Sequence, residues 1–162
     1  METSTEHTEA ERSLLHYMQV MGTYVPYVPF VERWGRLWPA QALPGGYRQG
    51  APQLCFGNAY ELACEHDGLT YVEGYAQSAY LATAHAWVVD AKGRVIDNTW
   101  KEPERRAYFG VAFSTEFLCE EIMNQEHHGL ISVDWQRCNR MLNSGFVTGT
   151  NDVGLTVVTG LA

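Results

Sequence analysis

Basic residues are scarce in this sequence: 11 lysines and arginines stand against 19 aspartates and glutamates, a formal net charge of -8. An acidic surface repels phosphate backbones and anionic headgroups, so neither nucleic acid nor a membrane surface is an expected partner. Long apolar runs are missing too, and none approaches the roughly 18 residues of a membrane helix. The stretch from Met1 to Arg12 is polar and acidic, with no basic start and no apolar segment, so no signal peptide is expected in it. The cysteines, Cys55, Cys64, Cys119 and Cys138, form no CxxC pair, and no Cys/His cluster has zinc-ligand spacing. No metal and no cofactor is therefore expected, and the chain reads as cytoplasmic or intravirion, with free thiols. Internal repeats and low-complexity segments are also absent.

What is present is ordinary globular composition, 46% hydrophobic and 19% charged over 162 residues, enough for one domain with its own core. Residues 1–9 read as a loose tail. Leu14, Leu15, Met18 and Met21 predict an amphipathic helix over Glu9–Met21. Phe30, Val31, Trp34, Leu37 and Trp38 predict a second helix ending at Pro39, with both tryptophans in the core. Gln41 to Pro52 is a Gly/Pro-rich loop, and a third helix fits Cys55 to His66, with Gly68 placed to stop it. Leu69–Tyr75 and Ala84–Asp90 read as strands. Ala91-Lys92-Gly93 then turns the chain into a returning strand, Arg94–Trp100. Ser114 is a cap for a helix over Thr115–His128, Asp134 for another over Trp135–Asn143, and Gly154–Thr159 is a last strand. Helices and strands without regular alternation predict an α+β fold.

Three segments carry chemistry. Cys55 stands where the loop gives way to a helix, and a helix amino end favours the thiolate. His85 opens one hairpin strand and Asp97 lies on the returning one, so a tight turn makes them cross-strand neighbours. That is the pattern of a thiol nucleophile, a base, and a carboxylate that orients the base. Gln49 and Gln53, six and two residues before Cys55, are candidate oxyanion donors beside the Cys55 backbone N–H. Trp87 and Asn98 are further candidates for the substrate-binding surface, although Trp87 also suits the core. The approach of Cys55 to His85 does not follow from local sequence.

The order Cys, His, Asp resembles the transglutaminase-like, papain-related superfamily. The stretches His85-Ala86-Trp87-Val88-Val89-Asp90 and Gly93-Arg94-Val95-Ile96-Asp97-Asn98-Thr99-Trp100 are similar to its HAW-V … G … V-x-D-x-T-W signature. The resemblance covers Gln49 to Trp100, about a third of the chain. One departure is that Cys55 is followed by Phe56 and Gly57, where many relatives carry a small residue and then an aromatic. The resemblance implies a nucleophile helix packed on a small antiparallel sheet, and acyl chemistry on a peptide or protein amide through a thioester on Cys55. Hydrolysis, deamidation and transfer all fall within it. The alternatives are a small acyl-CoA-type N-acyltransferase, or a non-catalytic binding or phage virion-associated protein that keeps the fold.

Overall fold

In a computed structural model the protein is described at residues 6–25, 27–79, 81–123, 129–131 and 135–162. Helix α1 spans Glu9–Met21 and begins with a capping box: the Thr8 hydroxyl accepts from the Glu11 N–H while the Glu11 carboxylate takes the Thr8 N–H. Thr8 and Glu9 therefore belong to the helix and its cap, not to the tail expected over residues 1–9. Helix α2 covers Val28–Trp34 and strand β1 Arg36–Trp38. The predicted helix through Trp38 is thus cut short. Gly35 takes an extended conformation and hands the chain to the sheet, where β1 pairs with a strand the sequence reading missed. Trp38 is buried, but Trp34 is exposed, lying edge-on against Phe146.

Helix α3 runs Cys55–Glu65, and the strands β2 (Thr70–Gln77), β3 (Ala82–Val89) and β4 (Val95–Ile96) follow. Strand β5 (Ala107–Phe113) comes next, then α4 (Thr115–Ile122), α5 (Trp135–Ser144), β6 (Phe146–Thr150) and β7 (Thr156–Leu161). The predicted continuation of α4 to His128 and the Asp134 cap lie outside the described residues, while the Ser114 cap is present, its hydroxyl accepting from the Phe117 N–H. The sheet is larger than the small antiparallel one expected. Among the described residues it has seven strands in the order β4-β3-β2-β5-β7-β6, with β1 also on β5. It is mixed, because β7 joins β5 in parallel at Phe113 and Val158. The fold is α+β.

Strand alternation divides the core. Tyr71, Tyr75, Ala86, Val88, Val111 and Phe113 face the helices and meet Leu14, Met18, Phe30, Ala59, Leu62, Phe117 and Met141. Val72, Ala76, Trp87, Val89, Tyr108 and Ala112 face the other way, onto Trp38 and Val95. Because β2 is buried on both faces, it lacks the polar–apolar alternation of a surface strand. One charged residue interrupts it: Glu73, fully buried, accepts hydrogen bonds from the Tyr71 hydroxyl at 2.9 Å and from the N–H groups of Leu130 at 2.6 Å and Ile131 at 2.8 Å.

Candidate active site

The hairpin that positions the site is local in origin. The Asp90 carbonyl accepts from the Gly93 N–H at 2.8 Å, and Gly93 adopts φ +74°, a left-handed conformation that glycine takes without strain. The ladder then pairs Val89 with Val95 and Val88 with Ile96. It stops there, four residues short of the strand predicted through Trp100. The reason is the Asp97 carboxylate, whose Oδ1 accepts from the N–H of Thr99 at 2.9 Å and of Trp100 at 3.4 Å. A side chain that bonds its own following backbone competes with the ladder and turns the chain.

Freed from the ladder, Asp97 meets His85. Its Oδ2 lies 2.8 Å from His85 Nε2 and accepts from the Tyr108 hydroxyl at 2.9 Å. Both acid and imidazole are out of solvent, His85 2% and Asp97 1% exposed. The imidazole stacks on the Trp100 indole at 4.1 Å between centroids and 21° between planes, with the Trp87 and Tyr108 rings at 6.2 and 6.3 Å. Since β4 covers β3 only opposite Val88 and Val89, the β3 edge at His85 is free of it. The Cys55 thiol is close enough to the His85 ring to perturb its titration. With Nε2 taken by Asp97, Nδ1 is the nitrogen left for the thiol.

Electrostatics follow from these contacts. Burial alone would lower the His85 pKa, but the hydrogen bonds to Asp97 and Cys55 and their charges outweigh it and raise it to about 9. Burial would likewise raise Asp97. The His85 hydrogen bond and charge, the Thr99 N–H and the Tyr108 hydroxyl together hold it below its ordinary value. Tyr108 is pushed up by burial and by the Asp97 charge, so it remains a donor at any ordinary pH.

The Cys55 end of α3 is clamped by a residue that the sequence reading left without a role. Asn58, 6% exposed and one turn after Cys55, donates from Nδ2 to the Ala51 carbonyl at 2.8 Å and to Thr99 Oγ1 at 2.9 Å, and accepts from the Ala51 N–H at 3.2 Å. It thereby ties α3 to the loop before it and to the segment that carries Asp97. Gly50 makes room for the clamp, since a Cβ there would lie 2.5 Å from the Asn58 side chain. The helix begins with Leu54, which provides no side-chain cap, so no cap side chain occupies the first-turn N–H groups.

The remaining candidates are placed as follows. Gln49 is exposed, and its Nε2 donates to the Asn98 carbonyl at 2.6 Å, the same oxygen that takes the Gly50 N–H at 2.7 Å. Asn98 is buried, and its Nδ2 donates to the Arg48 carbonyl at 3.2 Å, so it anchors the loop and does not present its amide to solvent. Gln53 is exposed at φ +65°, the third residue of a turn closed by the Leu54 N–H on the Ala51 carbonyl, where glycine is the usual choice. Trp87 is a correction. At 1% exposure it packs beneath His85 and offers no substrate surface. Trp100 is only partly buried and stacks on the imidazole. Tyr108 and Asn58 carried no sequence signal beyond being polar residues in otherwise apolar runs. The described residues include no cluster of His, Cys, Asp and Glu suited to a metal ion, and no helix long and apolar enough to cross a membrane.

No protein-family model matches the chain, and neither a curated protein nor a solved structure shows significant similarity to it.

Proposed function

We propose that the chain is a cysteine-dependent amide hydrolase or acyltransferase of transglutaminase-like, papain-related architecture, acting on a peptide or protein in a reducing compartment such as the cytoplasm. The observation that carries this reading is the buried His85–Asp97 pair, joined at Nε2, with Cys55 near enough to the ring to act on its charge and Nδ1 the nitrogen left for the thiol. In it His85 Nδ1 takes the Cys55 proton and the sulfur attacks the amide carbonyl carbon. The oxyanion that forms meets the Cys55 backbone N–H at the uncapped helix end, with Gln49, whose amide also donates to the Asn98 carbonyl, as the side-chain candidate. His85 then returns the proton to the leaving nitrogen, the C–N bond breaks, and a thioester remains on Cys55. Water or an amine, deprotonated by His85, resolves it. Asp97 holds the ring with Nε2–H toward its Oδ2, which keeps Nδ1 free to accept. The stacked Trp100 face favours the imidazolium.

Incubation with an epoxysuccinyl or vinyl-sulfone thiol-protease inhibitor, followed by peptide mapping, tests the reading. One inhibitor equivalent on Cys55, lost in His85→Ala, is the expected result. An unmodified Cys55 in folded protein rejects it. A peptide-library screen for cleavage and for amine incorporation then separates hydrolysis from transfer.

A further inference from the structure

Cys64 and Cys119 lie 55 residues apart in sequence, yet their Sγ atoms are 3.6 Å apart, bridging α3 and α4. Both are free thiols; Cys64 is exposed and Cys119 partly buried. A disulfide needs the sulfurs at about 2.05 Å, so roughly an ångström and a half of side-chain motion closes the gap. Tyr60, one turn before Cys64, lies within hydrogen-bonding reach of both thiols. Burial of its sulfur end against Cys119, and the hydrogen bond the two thiols share, hold the Cys64 thiol up to about 11. Its place in the last turn of α3 works in the same direction, since a helix carboxyl end disfavours a thiolate. The pair is therefore set apart by proximity and not by an activated sulfur.

We propose that Cys64 and Cys119 form an oxidisable dithiol, a modification site that consumes one peroxide and closes to a disulfide joining α3 to α4. The more exposed Cys64 reacts first. Its sulfur attacks one peroxide oxygen, the S–O bond forms as the O–O bond breaks, and the departing hydroxide leaves as water with the proton from the thiol. Cys119 Sγ then attacks the Cys64 sulfur. The S–S bond forms, the S–O bond breaks, and the hydroxide takes the Cys119 proton as a second water. The two sulfurs lose two electrons in all, and hydrogen peroxide gains them. With the resolving thiol already in contact, the sulfenic acid does not accumulate. The site does not depend on the Cys55 chemistry, although the helix it ties down is the one that opens with Cys55.

The test uses the reduced, desalted full chain, as wild type and as Cys55→Ala, exposed to hydrogen peroxide with dimedone present and quenched with iodoacetamide. Non-reducing peptide mapping should show a linked Cys64–Cys119 peptide with the loss of two hydrogens and no dimedone on Cys64. The thermal midpoint should rise by about 10 °C and fall back on reduction. In Cys119→Ser the link should vanish and dimedone should appear on Cys64. Cys64→Ser, a change at an exposed position, should lose the link with its circular dichroism unchanged. Dimedone-trapped or over-oxidised Cys64 in the wild type, or a disulfide made instead through Cys55 or between two chains, would overturn the proposal.

Discussion

Replacing Asp97 by asparagine should trap His85 in the wrong tautomer. Asp97 Oδ1 accepts backbone N–H groups from Thr99 and Trp100, so the amide oxygen of the variant belongs there. That leaves the amide nitrogen in the place of Oδ2, pointing its hydrogens at His85 Nε2 and the Tyr108 oxygen. Nε2 must then accept, the ring proton moves to Nδ1, and the nitrogen facing Cys55 can no longer take a proton. The imidazolium is also weakened, because with the carboxylate gone burial is opposed only by Cys55 and the stacked Trp100 face. In the wild type the ring is raised from 6.5 to about 9, a stabilisation on the order of 3 kcal/mol. The sign is that of a folded chain holding a proton that the unfolded chain has released. This stabilisation is complete below pH 6.5 and is lost as pH rises to about 9. Urea unfolding of the wild type should show that loss, and Asp97→Asn should show little of it. At the acid end, Asp97 is held below its ordinary value, so its contribution is present above about pH 4 and lost on further acidification. The variant should lack that loss as well. Turnover should fall roughly 10- to 10³-fold, with the alkaline limb of the pH profile drawn in. NMR titration of the His85 ring measures the same quantity without a substrate. An Asp97→Asn protein whose His85 still titrates near 9, or whose stability falls across the same window as the wild type, refutes the reasoning.

Cys55→Ala should abolish turnover, and iodoacetamide near pH 6 should modify Cys55 ahead of Cys64, whose thiol stays protonated well above that pH; dominant labelling elsewhere counts against the site. Asn58→Leu leaves Ala51 and Thr99 polar groups without their partner, which should cost about 2–4 kcal/mol in urea unfolding and lower kcat more than it raises KM. Tyr108→Phe removes one donor from a buried carboxylate, so it should destabilise by about 1–2 kcal/mol and raise the Asp97 pKa by NMR. Gln49→Ala should lower turnover about 10²-fold if its amide meets the oxyanion; an unchanged rate assigns that role to backbone N–H groups alone.

The parts of this architecture legible in the sequence are those written in short-range chemistry. Ala91-Lys92-Gly93 specifies a turn, the turn specifies the hairpin, and the hairpin brings His85 and Asp97 together. The Ser114 cap sits at the helix end where it was expected, with its hydroxyl on the Phe117 N–H. Strand β5 escaped because its partners are β2, β1 and β7, each distant in sequence, and its aromatic and glycine-rich composition is equally that of a loop. The helical spacing of Trp34 and Trp38 misled for a related reason: the β5 partner that takes Arg36–Trp38 as a strand is found only in the folded sheet. The placing of Cys55 beside the hairpin was illegible because it is set by long-range contacts, among them Asn58 reaching Thr99, 41 residues on.

Two buried carboxylates show how the sheet is used on each face. Glu73 points to the helices and Asp97 lies with the Trp87 and Tyr108 side, and each carboxylate accepts from backbone N–H groups and a tyrosine hydroxyl. A carboxylate removed from water is costly unless its lone pairs are taken, and backbone donors take them without a competing charge. Glu73 spends its acceptors on Leu130 and Ile131, so it fixes a loop to the sheet. Asp97 spends Oδ1 on its own following backbone and keeps Oδ2 for His85 and Tyr108. That division separates a structural acid from one that can act on its neighbour. The oxygen that faces the imidazole carries no backbone hydrogen bond, so it stays basic enough to stabilise an imidazolium. The other oxygen is pinned, so the carboxylate cannot rotate away as the ring changes charge.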